Sequence, residues 1–367
     1  MKALRKIAVL GATAAVAVSG LVLATPASAD PVSNTYAAVG SDTLDSSMNA
    51  LANGSTVTGA TVRVTVGGNA FGSFDAFPTG SLIQTKPAGP YFVRPSGSGN
   101  GVTSLRASIT GNAWQGKVIT GQVDIARSSS SAGSNANANG LLAYVPYARD
   151  AVAYAYKAAD SNAAAVLSNL TSAQLNSIYS ASTPTTINGV TITPRLPQSG
   201  SGTRSFWLKA LNGGSSELVP GAAVPSTDNT SAGPAENDAA ALGVNQIIPF
   251  SAANWIAQSN GVQNNTIGST GVQLGAIDGV SPFTGSGSSL VPAAAFYSST
   301  TYGRDTYLVV EYAKINSADS KYDASLASLV SSLTSYGSLP STPGAVKTKF
   351  GFRAPSSTSI VRAYASL

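Results

Sequence analysis

Ser199-Gly200-Ser201-Gly202-Thr203-Arg204 runs without a break into Ser205-Phe206-Trp207-Leu208-Lys209-Ala210-Leu211. Phe206 and Ala210 are four apart, as are Trp207 and Leu211, so the second half predicts a helix with one apolar stripe. The glycine and hydroxyl residues then fall in its first turn, where backbone N–H groups have no partner inside the helix. Those donors and the positive end of the helix dipole suit an anion. Ser201, Gly202, Thr203 and Arg204 are therefore candidate ligand contacts. The competing reading is an ordinary helix cap, which Ser and Thr also favour.

Working outward, three more stretches repeat the pattern. Tyr36 to Val39 reads as a strand ending in Gly40-Ser41-Asp42-Thr43, with Leu44, Met48 and Leu51 at helical spacing behind it and Asp42 or Thr43 as N-cap. Arg94-Pro95-Ser96-Gly97-Ser98-Gly99-Asn100-Gly101 precedes Val102, Leu105 and Ile109, again at helical spacing. Val123-Asp124-Ile125-Ala126 is a short strand ending in Arg127-Ser128-Ser129-Ser130-Ser131. Arg94, Arg127, Arg195 and Arg204 all lie within four residues of one of these loops. Hydroxyls, free N–H groups and guanidinium groups gathered beyond strand ends are the donor set for a small anion.

Between the loops the patterns alternate. Strands are expected over 57–66, 141–157 and 306–314, and helices over 163–179, 237–244, 326–336 and 360–365, with Trp255 in a further helix. Alternation of this kind predicts the α/β class with mainly parallel pairing.

Composition narrows the function. Lys2, Arg5 and Lys6 open an apolar stretch that ends in Ala27-Ser28-Ala29, the pattern of a secretory signal peptide over residues 1–29. Of the 21 Lys and Arg residues those three lie in the leader, leaving 18 against 16 Asp and Glu, a net charge of +2. A near-neutral chain without a basic run argues against nucleic acid as partner. There is no Cys and no His. That removes disulfides, thiol nucleophiles, a lipid-modified cysteine, imidazole metal sites and Ser-His-Asp triads. No catalytic residue, metal or cofactor is expected, and the chain is not read as an enzyme.

These segments, in this order, resemble the phosphate-binding proteins of bacterial phosphate ABC transporters, within the type II periplasmic-binding-protein superfamily. The resemblance spans most of residues 36–367. It is carried by the four loops and by Leu170 to Tyr179, Asn237-Asp238, Ile248-Pro249-Phe250, Gly279 to Pro282 and Ser359 to Arg362. It implies two α/β lobes that close on ligand and are joined by two crossing strands. Here those strands are expected near Ala148–Tyr156 and Tyr302–Val310, with 30–150 plus 301–367 as one lobe and 151–300 as the other. Both crossings begin Arg-Asp, at Arg149-Asp150 and Arg304-Asp305, and the two pairs are expected to meet across the hinge.

Carried over by resemblance, Thr43 and Leu44 match the family's first-loop contacts, with Ser41 beside them. Ser98 matches the second loop, and Ser201, Gly202 and Thr203 the third. Two positions depart from the family. Its acidic acceptor for protonated phosphate is Ser129 here, with Arg127 two residues earlier. Its arginine six residues before the loop threonine is Pro197, with Arg195 nearby. Loss of the acceptor is expected to weaken discrimination between protonated phosphate and sulfate. The implied function is an exported monomer that captures phosphate or a similar oxyanion for an ABC permease. The alternative is a secreted structural or adhesive protein that kept the fold without its anion.

Overall fold

The computed structural model describes Asp30, Pro31, Ser33, residues 35–268 and residues 270–364; the leader expected at 1–29 lies outside the described residues. Valine, tyrosine and alanine with little charge favour extended chain, and Leu142–Lys157 forms the longest strand, 16 residues. At about 3.3 Å per residue it spans roughly 50 Å, and its side chains enter all three apolar cores.

That strand is β4 of a ten-stranded sheet. The others are β1 (Ala37–Gly40), β2 (Gly72–Ser73), β3 (Ile125–Ser128), β5 (Thr185–Ile187), β6 (Val190–Pro194), β7 (Gln246–Ser251), β8 (Val272–Leu274), β9 (Gly303–Glu311) and β10 (Val361–Ala363). Their order is β5-β6-β7-β4-β9-β3-β1-β2, with β8 and β10 also paired to β4. Only β1 with β2, β1 with β3 and β6 with β7 are parallel. The expectation of mainly parallel pairing fails because β4 and β9 run antiparallel to each other and to the strands they join.

Helices α1 (Asp45–Asn53), α2 (Ser98–Thr110), α3 (Ser172–Ser180), α4 (Gly202–Leu211), α5 (Ala252–Ser259), α6 (Ala324–Thr334) and α7 (Pro343–Lys349) pack around this sheet. Tyr154, Tyr179, Ile192, Trp207 and Phe250 share one apolar core drawn from residues 151–302. Leu44, Met48, Tyr147, Leu308 and Leu329 share a second, and Val39, Phe74, Leu105 and Val309 a third. Helix α5 divides its side chains, with Trp255 and Ile256 in the first core and Ala253 and Ala257 in the second.

The crossing strands explain the two Arg-Asp dipeptides. In antiparallel register a dipeptide opposite its own copy sets Arg against Asp twice, and Arg149 faces Asp305 while Asp150 faces Arg304. The ion pairs close at 3.0 Å and 2.8 Å, as the sequence led us to expect.

Other expectations shift. A 3-10 turn over Asp42–Leu44 precedes α1, and neither Asp42 nor Thr43 caps it through a side chain. Residues 163–179 split into Ser161–Leu167 and α3 around the short strand Asn169–Leu170. The helix expected at 237–244 is only a 3-10 turn, Ala239–Ala241. Of 57–66 only Thr65–Val66 is a strand. The last segment is β10 rather than a helix, because β4 offers it an open backbone edge.

Candidate functional site

The four hydroxyl-rich loops converge. Helix α4 begins where the sequence places it, with the Ser201 hydroxyl accepting from the Arg204 N–H at 3.0 Å. Trp207 and Leu211 bury the stripe that anchors it, while Phe206 stays half-buried. Ser129 is the hub of the other loops. Its hydroxyl lies 3.2 Å from Ser41 Oγ and 3.1 Å from Ser98 Oγ, and its N–H donates to Ser98 Oγ at 2.9 Å. The Gly99 N–H reaches the Gly200 carbonyl at 3.3 Å, and Ser130 Oγ the Gly202 carbonyl at 3.5 Å.

Two glycines permit this approach. Gly40 has φ of 114°, and a side chain there would press on the Arg127 carbonyl. A Cβ on Gly202 would collide with the hydroxyls of Ser98 and Ser129.

The centre of the constellation is Arg304, on crossing strand β9. It is 4% exposed. Its Nε and Nη2 donate to Asp150 Oδ2 at 3.1 and 2.8 Å. Nη2 also reaches Thr43 Oγ1 at 3.2 Å and Thr203 Oγ1 at 2.9 Å. Nη1 is buried and has no acceptor. The guanidinium carbon stands 5.4 Å over the Phe206 ring, a favourable cation–π placement. A buried charged donor left without a partner is costly, so this N–H is the group most in need of a ligand.

Glu236 completes the site. Its carboxylate accepts from the Thr203 N–H at 3.3 Å and Thr203 Oγ1 at 3.5 Å, taking up a first-turn donor of α4. Beyond it opens a cavity of about 750 Å³, lined among others by Asp42, Asp45, Asp75, Glu236 and Asp238. Burial, reinforced by the carboxylates of Asp45 and Glu236, holds the Asp42 carboxyl well above the usual range. Asn237 Nδ2 donates to it at 2.8 Å. Burial also raises Asp45 to about 6, against the opposing pull of Arg127.

The structure thus brings Ser41, Thr43, Ser98, Ser129, Ser201, Gly202 and Thr203 together. Leu44 turns its side chain into a core. The four arginines singled out from sequence spend their donors on protein, Arg94 on Ser81 Oγ, the Asp75 carbonyl and the Asp30 carboxylate. Arg127 is fully buried and bonds Ser41 O, Ser73 Oγ and Phe74 O. Arg195 grips Asp228 with two bonds of 2.7 and 2.9 Å. Arg204 donates to the carbonyls of Pro197 and Asp228. Loop arginines near unpaired carbonyls and a carboxylate are captured by them, since a buried guanidinium must be paired. Sequence reasoning missed Arg304 and Glu236 as site residues. The repeated Arg-Asp dipeptide marked the strand of Arg304 but not the direction of its side chain, and Glu236 sits in a polar linker without a pattern. Among the described residues no group of three or more Asp or Glu side chains is arranged to hold a metal ion.

A mixed sheet whose two longest strands, β4 and β9, pair antiparallel, with the hydroxyl-rich loops gathered around Arg304, sets the architecture. The profile of the PBP superfamily domain matches residues 25–336, and the chain belongs to that family. The fold is similar to that of the phosphate-binding protein from Stenotrophomonas maltophilia, at 13% identity and a TM-score of 0.50, over 88% of this chain and 91% of that one. An ABC-type phosphate transport receptor from Vibrio cholerae aligns over 88% of this chain and 100% of its own, at 15% identity and a TM-score of 0.47. No curated protein sequence matches the chain.

Proposed function

We propose that the protein is an exported solute-binding protein that captures phosphate or a similar oxyanion between two lobes and delivers it to an ABC permease. The reading rests on one observation above all, the buried Arg304 Nη1 with no acceptor beside the hydroxyls of Thr43 and Thr203. Residues 30–150 with 301–367 form one lobe in this reading and 151–300 the other. The first contributes Ser41, Thr43, Ser98, Ser129 and Arg304, and the second Ser201, Gly202 and Thr203. An anion held by both would favour closure, since affinity comes from charge-assisted hydrogen bonds in a dry site. No bond needs to be made or broken, so the protein is a carrier rather than an enzyme. The adhesive alternative gives no reason for a buried guanidinium nitrogen, Arg304 Nη1, left without an acceptor.

Glu236 supports phosphate in particular. It supplies beside Thr203 the acceptor that Ser129 lacks, so a protonated oxyanion has a place to donate its O–H. Fully ionised sulfate has no proton to give and would meet a bare carboxylate. Export follows the leader pattern of residues 1–29. No helix among the described residues is long and apolar enough to cross a membrane, which fits a carrier outside the bilayer.

The test is isothermal titration of the ligand-stripped protein with phosphate and then sulfate. Phosphate should bind at micromolar Kd or tighter, with binding weakened at least tenfold in Thr203→Val. Absence of heat with both anions overturns the reading.

A further inference from the structure

We propose that Asn237 is a positioning residue of the anion site. Through Asp42 it locks the loop that presents Thr43 to the linker that presents Glu236, and so sets how long a bound oxyanion is held. This deepens the anion reading and rests on it.

Three observations carry it. The first is conformation. Asn237 has φ of 57°, a left-handed backbone that asparagine tolerates better than most residues with a side chain. Among the described residues, Ala88, Gln115, Asn188, Asn245 and Asp278 share a positive φ, and all of them are exposed or half-buried. Asn237 is buried, 6% exposed. Such a conformation persists inside a protein only where the surroundings over-determine it.

The second is bonding. Asn237 Nδ2 donates to Asp42 Oδ2 at 2.8 Å, and Oδ1 accepts from the Ser251 N–H at 2.9 Å. Its carbonyl accepts from Gln258 Nε2 at 2.8 Å. Leu44, two residues after Asp42, packs into one apolar core, and Ala239, two residues after Asn237, packs into another. The amide thus joins segments anchored in different cores.

The third is a closed ring. Thr43 Oγ1 meets Arg304 Nη2 at 3.2 Å, and that nitrogen donates to Asp150 Oδ2 at 2.8 Å. Asp150 Oδ1 accepts from Ser251 Oγ at 2.9 Å. The Ser251 N–H leads through Asn237 to Asp42, which precedes Thr43 in the chain and closes the circuit. Glu236 precedes Asn237, so the one side-chain bond ties together the neighbours of two site residues. Asn237 bonds neither Thr43 nor Arg304 and acts on them through Asp42 and Ser251. Cutting its link to Asp42 frees the Thr43 loop to leave the anion, and such losses appear mainly in the rate of release.

The experiment loads protein expressed from the full sequence with radiolabelled inorganic phosphate and follows its release into excess unlabelled phosphate. Asn237→Gly, which takes the same φ without strain, should release at least tenfold faster than the native protein, and Asp42→Ala likewise. The double variant should be no more than threefold faster than either, because both changes cut one link. Exchanging donor and acceptor, as Asp42→Asn with Asn237→Asp, keeps the acceptor for the Ser251 N–H and should return release to within threefold of native. A merely structural Asn237 would lower the unfolding midpoint of the ligand-free protein while folded Asn237→Gly released phosphate at the native rate, and that result overturns the proposal. Multiplying effects in the double variant, or an exchanged pair that releases as fast as Asn237→Gly, overturn it as well and leave the anion reading standing. If the native protein retains no phosphate, both fall together.

Discussion

Replacing Arg304 with Met tests the buried ion pair between β4 and β9 and the site at once. The substitution leaves Asp150, fully buried, with the Ser251 hydroxyl at 2.9 Å and the Ala253 N–H at 3.0 Å but without its counter-charge. Removing one member of a buried ion pair costs about 3–5 kcal/mol. Adding Asp150→Asn removes the stranded charge, so the double variant should recover roughly half of that loss, about 1.5–2.5 kcal/mol. Urea unfolding followed by tryptophan fluorescence measures all four corners of the cycle. Titration with phosphate measures the second role. Two charge-assisted bonds at about 1.5–3 kcal/mol each predict at least a hundredfold loss of affinity in both Arg304 variants, including the restabilised one. A single-variant cost below about 1 kcal/mol would show that the pair behaves like an exposed one. Native phosphate affinity in the double variant would remove Arg304 from the site.

Three further outcomes follow from particular residues. Gly202→Ala places a methyl against the Ser98 and Ser129 hydroxyls, so it should abolish anion binding while lowering stability by only about 1–3 kcal/mol; titration beside a melting curve separates the two. Glu236→Gln removes the charge that opposes sulfate, and the phosphate-to-sulfate affinity ratio should fall at least tenfold; an unchanged ratio would take Glu236 out of selectivity. Lys347 is fully buried, with Nζ donating to the Tyr147 and Leu333 carbonyls and lying over the Tyr147 and Tyr336 rings. Burial lowers its pKa from 10.5 to about 7. The folded state therefore sheds the proton near pH 7 while the unfolded chain keeps it to near 10.5, and stability rises with pH between them. Over that window the shift is worth roughly 3–5 kcal/mol. Lys347→Met should be more stable than the native protein at pH 6, with its advantage shrinking by pH 10, and a pH-independent difference in urea midpoints would contradict this.

The sequence by itself determined much of this protein. The apolar stripe of Trp207 and Leu211 and the glycine and hydroxyl run before it specify the start of α4, because capping and helical periodicity are local. The same holds for the loops at 40–43, 94–101 and 127–131. Even the meeting of Arg149 with Asp305 and of Asp150 with Arg304 was anticipated, from the repeated Arg-Asp dipeptide on the two crossing strands that the family resemblance implies; the antiparallel register that sets them opposite came from the structure. Only the tertiary structure decided which arginine keeps a buried, unpaired donor. Arg127, Arg195 and Arg204 lie nearest the loops in sequence, yet carbonyls and carboxylates brought in by distant segments, Asp228 above all, capture their guanidinium groups. Arg304, a hundred residues from Thr203, is left with a free N–H because Asp150 occupies only part of its donor fork. The acidic cavity has the same origin. Asp42 with Asp45, Asp75, and Glu236 with Asp238 stand far apart along the chain and come to line one cavity only when the fold closes around them, since charge acts through space rather than along the backbone.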